Sequence, residues 1–310
     1  MRNGQNNNVL ICQTKRLIAS MRPHNKLRAV ISLMRLPYWL IESLLCVLFI
    51  LTFQNGFNQL GLIAPAVLGV TFVGAGGAAI NDYFDRDSDA ITHPERPIPS
   101  GQVSPANAMT FSALTFAVGL GVSLAINSLA FVIAALNVVL FTVYPRFLKR
   151  LSGLLSNLVM GYLGASIALF AGAAVFQTIN VASLSFVGMI AGGAIALNVL
   201  KDVLTVGGDV KVGYPTVAAR YGIHVAAVVG ALFLILSATT SFLPFLFGVV
   251  GVAYLILVAV WASLVIYAAL SLLHAPDIPH VRHRLRMFTL STVMYPVSLI
   301  ANLLVLHVPT

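Results

Sequence analysis

Long uncharged runs alternate with short charged ones along most of this chain. The apolar stretches run to about 20 residues, the length a helix needs to cross a hydrocarbon core roughly 30 Å thick. Nine candidates stand out, at 37–53, 61–81, 105–126, 129–144, 153–175, 181–203, 223–241, 245–273 and 287–307. They predict an all-α polytopic membrane protein of nine transmembrane helices. Residues 37–310 form one transmembrane domain in this reading, and residues 1–36 a basic cytoplasmic or interfacial arm. The joint between the third and fourth spans is the tightest, at Asn127-Ser128.

Composition agrees with the pattern. Of 310 residues, 59% are apolar and only 9% charged, with mean hydropathy +0.94. Soluble domains carry about 25% charged residues.

The basic residues test the count of spans. All 18 fall in five groups. The arm holds Arg2, Lys15, Arg16, Arg22, Lys26, Arg28 and Arg35. Later groups are Arg86 and Arg96; Arg146, Lys149 and Arg150; Lys201, Lys211 and Arg220; and Arg282, Arg284 and Arg286. With nine spans all five groups lie on one side, and the opposite joints carry none. Positive charge marks the cytoplasmic side. The N-terminus and these loops are therefore expected inside, and the C-terminus outside, in an integral protein of the cell membrane. This bias accounts for the net charge of +9, so nucleic acid is not an expected partner. The arm lacks the hydrophobic core of a secretory signal and suits an anionic inner leaflet. Cys12 and Cys46 make no disulfide framework. The stretch "HVRH", His280 to His283, reads as an interfacial loop.

The acids are more selective. Of nine, eight lie at the edge of a span or in the loops on the side of the basic groups, Asp202 at the end of the sixth span among them; only Glu42 lies further inside a span, near its start. A transporter, the non-enzyme alternative, places ionisable groups near the midplane. Here the charge gathers at one interface.

It is densest in "NDYFDRDSD", Asn81 to Asp89. If the second span continues as a helix, each residue turns by about 100°. Asp82, Asp85 and Asp89 then fall within roughly a 60° arc. Asn81, Asp85 and Asp89 form a stripe of about 80°, while Asp87 points away. Pro94, Pro97 and Pro99 end the helix soon after. Like charges about 4 Å apart, at an effective dielectric near 20, repel by about 4 kcal/mol per pair. A hard divalent cation removes that repulsion, and Mg²⁺ takes one or two carboxylates together with phosphate oxygens. The competing reading is a solvated acidic loop.

A second acidic stretch, "KDVLTVGGD", follows the sixth span. Asp202, Thr205 and Asp209 share an arc like the first, unless Gly207-Gly208 breaks the helix. The two sites follow spans four helices apart, and each precedes a punctuated loop, "RPIPSG" or "GYPTVAARYG". This suggests two related halves with converging acids. The candidate metal ligands are Asn81, Asp82, Asp85, Asp89, Asp202 and Asp209, with the four aspartates Asp85, Asp89, Asp202 and Asp209 as the catalytic set.

Two acidic sites on one cavity suit a diphosphate bridged by Mg²⁺. Lys and Arg help such a group to leave by neutralising charge as it develops. Arg35, Arg96, Tyr144, Arg146, Lys149, Asn198, Lys201 and Thr205 are the candidate contacts to diphosphate or substrate. Arg146, Lys149 and Arg150 also fit plain positive-inside residues, and Tyr144 an interfacial aromatic belt. Loss of diphosphate from an allylic carbon leaves a carbocation, which needs a dry pocket with aromatic faces. A bilayer protein also offers an isoprenoid tail somewhere apolar to lie.

These residues resemble the UbiA-type intramembrane prenyltransferases. "NDYFDRDSDAITHPERPIPSG" is similar to their first motif, Asn-x-x-x-Asp-x-x-x-Asp, at Asn81, Asp85 and Asp89. "KDVLTVGGDVKVGYPT" is similar to their second, Asp-x-x-Asp-x-x-Gly-Asp, at Asp202, Gly208 and Asp209, but Thr205 stands where the family usually has aspartate. "YPRFLKR" looks like their Tyr-and-Lys loop. The resemblance implies a helical ring around a cavity, Mg²⁺, a prenyl diphosphate donor and a lipophilic acceptor. "HPERPIPSG" and "KDV" look most like the archaeal branch, which joins geranylgeranyl to geranylgeranylglyceryl phosphate in ether-lipid synthesis. The alternative within the family is an aromatic acceptor of the 4-hydroxybenzoate type.

Overall fold

The computed structural model describes residues 26–56 and 60–306. The arm before residue 26, the joint at 57–59 and the last four residues, His307 included, lie outside the described residues. The helices are α1 (Lys26–Met34), α2 (Leu36–Phe53), α3 (Ile63–Thr92), α4 (Pro105–Ile126), α5 (Ser128–Val143), α6 (Gly153–Phe176), α7 (Val187–Val212), α8 (Ile223–Thr240), α9 (Val252–His274), α10 (Ile278–Ser291) and α11 (Met294–Leu306). Among the described residues, nine segments are long and apolar enough to cross a membrane, with α10 and α11 together making the ninth. The chain is an integral membrane protein.

The helices close on themselves. α2 packs on α3, α3 on α4 and α5, α5 on α6, and α6 on α7. α7 packs on α8, α8 on α9, α9 on α11, and α11 returns to α2. Leu114, Val132, Val260 and Leu304 are exposed on the outer surface, as expected where the solvent is lipid. Lipid gives no hydrophobic drive for helices to associate, so close approach through small residues matters more. Ser112 Oγ on α4 donates to the Gly76 carbonyl of α3 at 2.9 Å. Ser237 Oγ on α8 donates to the Met189 carbonyl of α7 at 2.6 Å. Gly192 lets α7 and α8 meet, because a Cβ there would stand 2.9 Å from the Phe233 carbonyl oxygen.

One residue makes the tight joint at Asn127. Its backbone is extended, with φ −173° and ψ 169°. Its N–H bonds to the Ser123 carbonyl and closes α4, while its Oδ1 accepts from Ala130 N at 2.8 Å and opens α5. Its Nδ2 ties the joint to the Ala173 carbonyl of α6 at 2.9 Å. A side chain with both a donor and an acceptor thus ends one span and starts the next.

Elsewhere the structure corrects the predicted bounds. The eighth span begins at Val252, because a short helix at Leu243–Leu246 and a turn through Gly248, with φ 70°, occupy its expected start. The ninth begins at Ile278, so "HVRH" is helical and not a loop. Val281, Leu285 and Phe288 are buried along one face of α10, while Arg282, His283 and Arg286 stay exposed. Asp277 caps this helix through His280 N at 2.8 Å. The polar face had hidden the helix in a reading based on apolar length.

Two features position the site. α3 runs unbroken past the apolar stretch through all four aspartates, and α7 likewise through Gly207-Gly208 to a left-handed Gly213 with φ 77°. The end of the arm is part of the fold. Leu33 of α1 packs with Ala79, Ile98 and Ala108, and Arg35, at φ 50°, turns the chain from α1 into α2.

Replacing Gly192 by Val should overpack the α7–α8 contact and cost about 1–3 kcal/mol. Thermal unfolding in detergent measures this; an unchanged midpoint would contradict the close contact.

Candidate active site

The first acidic site follows from helix geometry. Asp82, Asp85 and Asp89 are buried, at 3%, 5% and 4% exposure, whereas the Asp87 side chain is 88% exposed. Such a concentration of carboxylates needs positive charge, and three separate elements supply it. Arg35, at the α1–α2 turn, pairs with Asp82. Arg96, in the loop after α3, donates to Asp89 Oδ2 at 2.7 Å and lies 3.8 Å from Asp82. Lys149 donates to Asp85 Oδ2 at 2.9 Å, an oxygen that also accepts from Asn81 Nδ2 at 3.1 Å.

Lys149 arrives there through a local distortion. Tyr144–Leu148 form a π-helical turn in which Lys149 N bonds back to the Tyr144 carbonyl. Pro145 lacks the N–H that a regular helix would use, and such wide turns recur at functional positions. The turn brings Tyr144 and Lys149 to the cavity together. The Lys149 ammonium also lies 4.7 Å from the centre of the Tyr214 ring.

The second site is held by neutral donors. Asn157 Nδ2 of α6 donates to Asp202 Oδ2 at 3.2 Å. Thr205 Oγ1 donates to Asp209 Oδ2 at 3.0 Å, and Thr216 Oγ1 to the same oxygen at 3.5 Å. Thr205 therefore holds the neighbouring acid where the family motif has a further carboxylate. Tyr214 OH, 3.4 Å from Ser88 Oγ, links the loop after α7 to α3.

Both sites open on one cavity of about 910 Å³. Its mouth carries Arg35, Asn81, Asp85, Asp89, Arg96, Tyr144 and Lys149 from the first half, and Asn198, Lys201, Asp202, Thr205 and Asp209 from the second. Its apolar part is walled by Trp39, Phe141, Met160, Leu163, Ile167 and Leu197. Twelve of the fourteen candidate site residues thus come together. Two do not. Asp82 is turned to Arg35 and does not line the cavity. Arg146 lies over the rings of Phe84 and Phe147, at 5.8 and 5.1 Å, and is also off the lining. Asn198 lines the cavity while its amide donates to Ala194 O of its own helix at 2.8 Å.

Several lining residues escaped the sequence reading. Asn157 and Trp39 belong to no acidic motif, and Ser88 and Tyr214 lie within the two quoted motifs but are not among their acidic positions; a lone Asn within an apolar span is a signal in itself. Glu42, inside the first predicted span, lines this same cavity.

The donor set fits Mg²⁺ only together with a substrate. Among the described residues, no group of three or more His, Cys, Asp and Glu side chains is placed to hold a metal ion alone. In Asp85, Asp89, Asp202 and Asp209 the described partners all engage Oδ2. One oxygen of each carboxylate is thereby left for a further ligand. Hard oxygen donors from one or two carboxylates, completed by phosphate oxygens, are the usual surroundings of Mg²⁺.

Residues 43–292 match the model of the UbiA prenyltransferase family. The chain belongs to this family, and is an intramembrane prenyltransferase. A digeranylgeranylglyceryl phosphate synthase from Methanopyrus kandleri is 42% identical over 208 residues, covering 67% of this chain and 75% of the relative. A solved structure described as giving insights into the biosynthesis of digeranylgeranylglyceryl phosphate synthase in membranes superimposes with TM-score 0.79, at 27% identity. It spans 90% of this chain and 98% of its own. The fold is also shared with a UbiA homologue from Archaeoglobus fulgidus bound to DMAPP and Mg²⁺, with TM-score 0.62, 18% identity, and coverage of 89% and 99%.

Asp85→Asn and Asp89→Asn should each lower prenyl transfer by about 10²–10³-fold, the range for losing one key electrostatic contact. Asp87→Asn should leave it near wild type, since that side chain faces away. Labelled-prenyl transfer assays on the three variants test this, and an equal loss in all three would refute the helical-face assignment.

Proposed function

We propose that this protein transfers geranylgeranyl from its diphosphate to the free hydroxyl of geranylgeranylglyceryl phosphate, making an ether lipid. The observation that carries the reading is the single cavity with a cationic, carboxylate-lined mouth and an apolar depth. The identity of the acceptor leans on the Methanopyrus relative. One further feature agrees. Lys201 lines the cavity and, among the described residues, forms no ion pair with a carboxylate. An acceptor with its own phosphate needs a cation beyond those that face the aspartates.

In this reading Asp85, Asp89, Asp202 and Asp209 hold Mg²⁺, with Asn81 supporting Asp85. The metal, when bound, would withdraw charge from the diphosphate. Lys149 and Arg96 stand beside those carboxylates and are placed to turn to the diphosphate as its charge grows. Tyr144, Lys201 and Thr205 orient the diphosphate and the acceptor phosphate. The apolar walls, with Trp39 and Phe141, exclude water from the allylic carbon. Its bond to the diphosphate oxygen breaks, the acceptor oxygen bonds to the carbon, and the hydroxyl proton leaves with the diphosphate or an aspartate. The substrates enter from the cytoplasmic face, where the basic residues gather.

The purified protein, labelled geranylgeranyl diphosphate and Mg²⁺ should give ether product with the glycerol phosphate acceptor. Product with 4-hydroxybenzoate alone would overturn the acceptor while leaving prenyl transfer intact. Removing divalent ions with a chelator should abolish turnover, and adding Mg²⁺ back should restore it; turnover that survives chelation would refute the metal role. A cysteine introduced at Gly101 should be labelled from the cytoplasm and one at Gln177 from outside. Labelling of both from one face would refute the proposed orientation.

A further inference from the structure

Lys149 belongs to the π turn of the first half, and Tyr214 to the loop that follows Asp209 in the second. Both line the cavity mouth. Their two segments are pinned together beside the site. Gly153 N, four residues after Lys149, donates to the carbonyl of Pro215, next to Tyr214, at 3.0 Å. A Cβ at Gly153 would stand 2.5 Å from Thr216 Cα, so only glycine admits this approach.

Tyr214 is fixed at three further points. Its N–H bonds to the Asp209 carbonyl at 2.9 Å, and its own carbonyl accepts from Thr216 N at 2.9 Å. Its hydroxyl donates to Ser88 Oγ at 3.4 Å, and Ser88 Oγ donates to the Asp85 carbonyl at 3.0 Å. The side chain therefore crosses the mouth from the second acidic site to the first.

The Lys149 ammonium lies 4.7 Å from the centre of this ring and 2.9 Å from Asp85 Oδ2. Among the described residues, Asp85 is its only hydrogen-bond acceptor. An ammonium has three N–H groups. A second carboxylate in place of the ring would engage another of them and add a negative charge that repels diphosphate. An aromatic face attracts the cation without that added charge. The ring thus fixes where the ammonium sits and leaves its charge open to an anion in the cavity.

We propose that Tyr214 is a positioning residue for prenyl transfer: its ring holds the Lys149 ammonium between the two acidic sites, where the diphosphate of the donor meets it. The encounter with diphosphate rests on the prenyl-transfer reading above; the contact between ring and ammonium does not.

The two parts are tested separately on the full chain. Tyr214→Leu removes the ring, whereas Tyr214→Phe keeps it and loses the hydroxyl. The affinity for geranylgeranyl diphosphate with Mg²⁺, measured by calorimetry, should fall by about 2–30-fold in Tyr214→Leu, the range of a cation–π contact. Tyr214→Phe should recover most of that loss. In a Lys149→Met background, Tyr214→Leu should change the affinity by less than about twofold. An unchanged affinity in Tyr214→Leu, no recovery in Tyr214→Phe, or an equal loss with and without Lys149 would overturn the positioning role. Without substrate, Tyr214→Leu should lower the thermal midpoint in the wild-type background, and by less than roughly a third as much in the Lys149→Met background. Equal drops in both would overturn the contact. A wild-type protein that binds no prenyl diphosphate would count against the proposed function, and the thermal comparison would still decide the contact.

Discussion

Three carboxylates on one face of α3 cannot be buried without positive charge beside them. Much of the fold around the cavity answers that requirement. Arg35 comes from the turn between α1 and α2, Arg96 from the loop after α3, and Lys149 from the π turn after α5. Three pieces of chain, distant in sequence, are thus drawn to one helix by the same charge. Breaking a buried pair from one side is costly, because the remaining ion stays in a poor solvent. The site and the local fold are therefore coupled: α1 is held on α3 both by Leu33 in its apolar cluster and by the neighbouring Arg35–Asp82 pair.

The two halves solve the same problem differently. Asp82, Asp85 and Asp89 have the same spacing as Asp202, Thr205 and Asp209. In the first set three acids face three cations. In the second, threonine at the middle position removes one charge, and hydrogen bonds from Asn157, Thr205 and Thr216 hold the other two. Fewer like charges need fewer cations. Among the described residues Lys201 is accordingly not drawn into an ion pair as Lys149 is, and it lines the cavity. The departure at Thr205 removes one charge from the second site and leaves Asp202 and Asp209 in place, the latter held by Thr205 itself.

The large features were legible because each rests on a local rule. Apolar length and basic clustering give the number of spans, and a 100° turn per residue gives the acidic face. Where the sequence misled, a different rule won. α10 is half polar, so its length as a spanning helix depends on Val281, Leu285 and Phe288 facing inward, which apolar run length does not record. Asp82 shares the arc of Asp85 and Asp89, yet a contact 47 residues away in sequence turns it aside to Arg35. Arg146 and Lys149 look equivalent in "YPRFLKR" until the π turn sends one to the cavity and the other onto aromatic rings. Asn157 and Tyr214 matter through tertiary contacts alone, and no spacing within one chain segment announces them.

A membrane makes this division of labour possible. The cavity mouth is polar because α3 and α7 carry their aspartates past the apolar stretch, and its depth is apolar because the same helices are uncharged behind them. In the proposed reaction, a carbocation formed between these zones would have carboxylates and leaving diphosphate on one side and aromatic walls on the other. Low dielectric strengthens both kinds of contact, since neither competes with water. The same low dielectric penalises any unpaired ion, so each buried aspartate at the mouth has a cation or a hydrogen-bond donor beside it. One physical condition, the exclusion of water, therefore sets the terms at both ends: ions paired at the mouth, and apolar and aromatic walls in the depth.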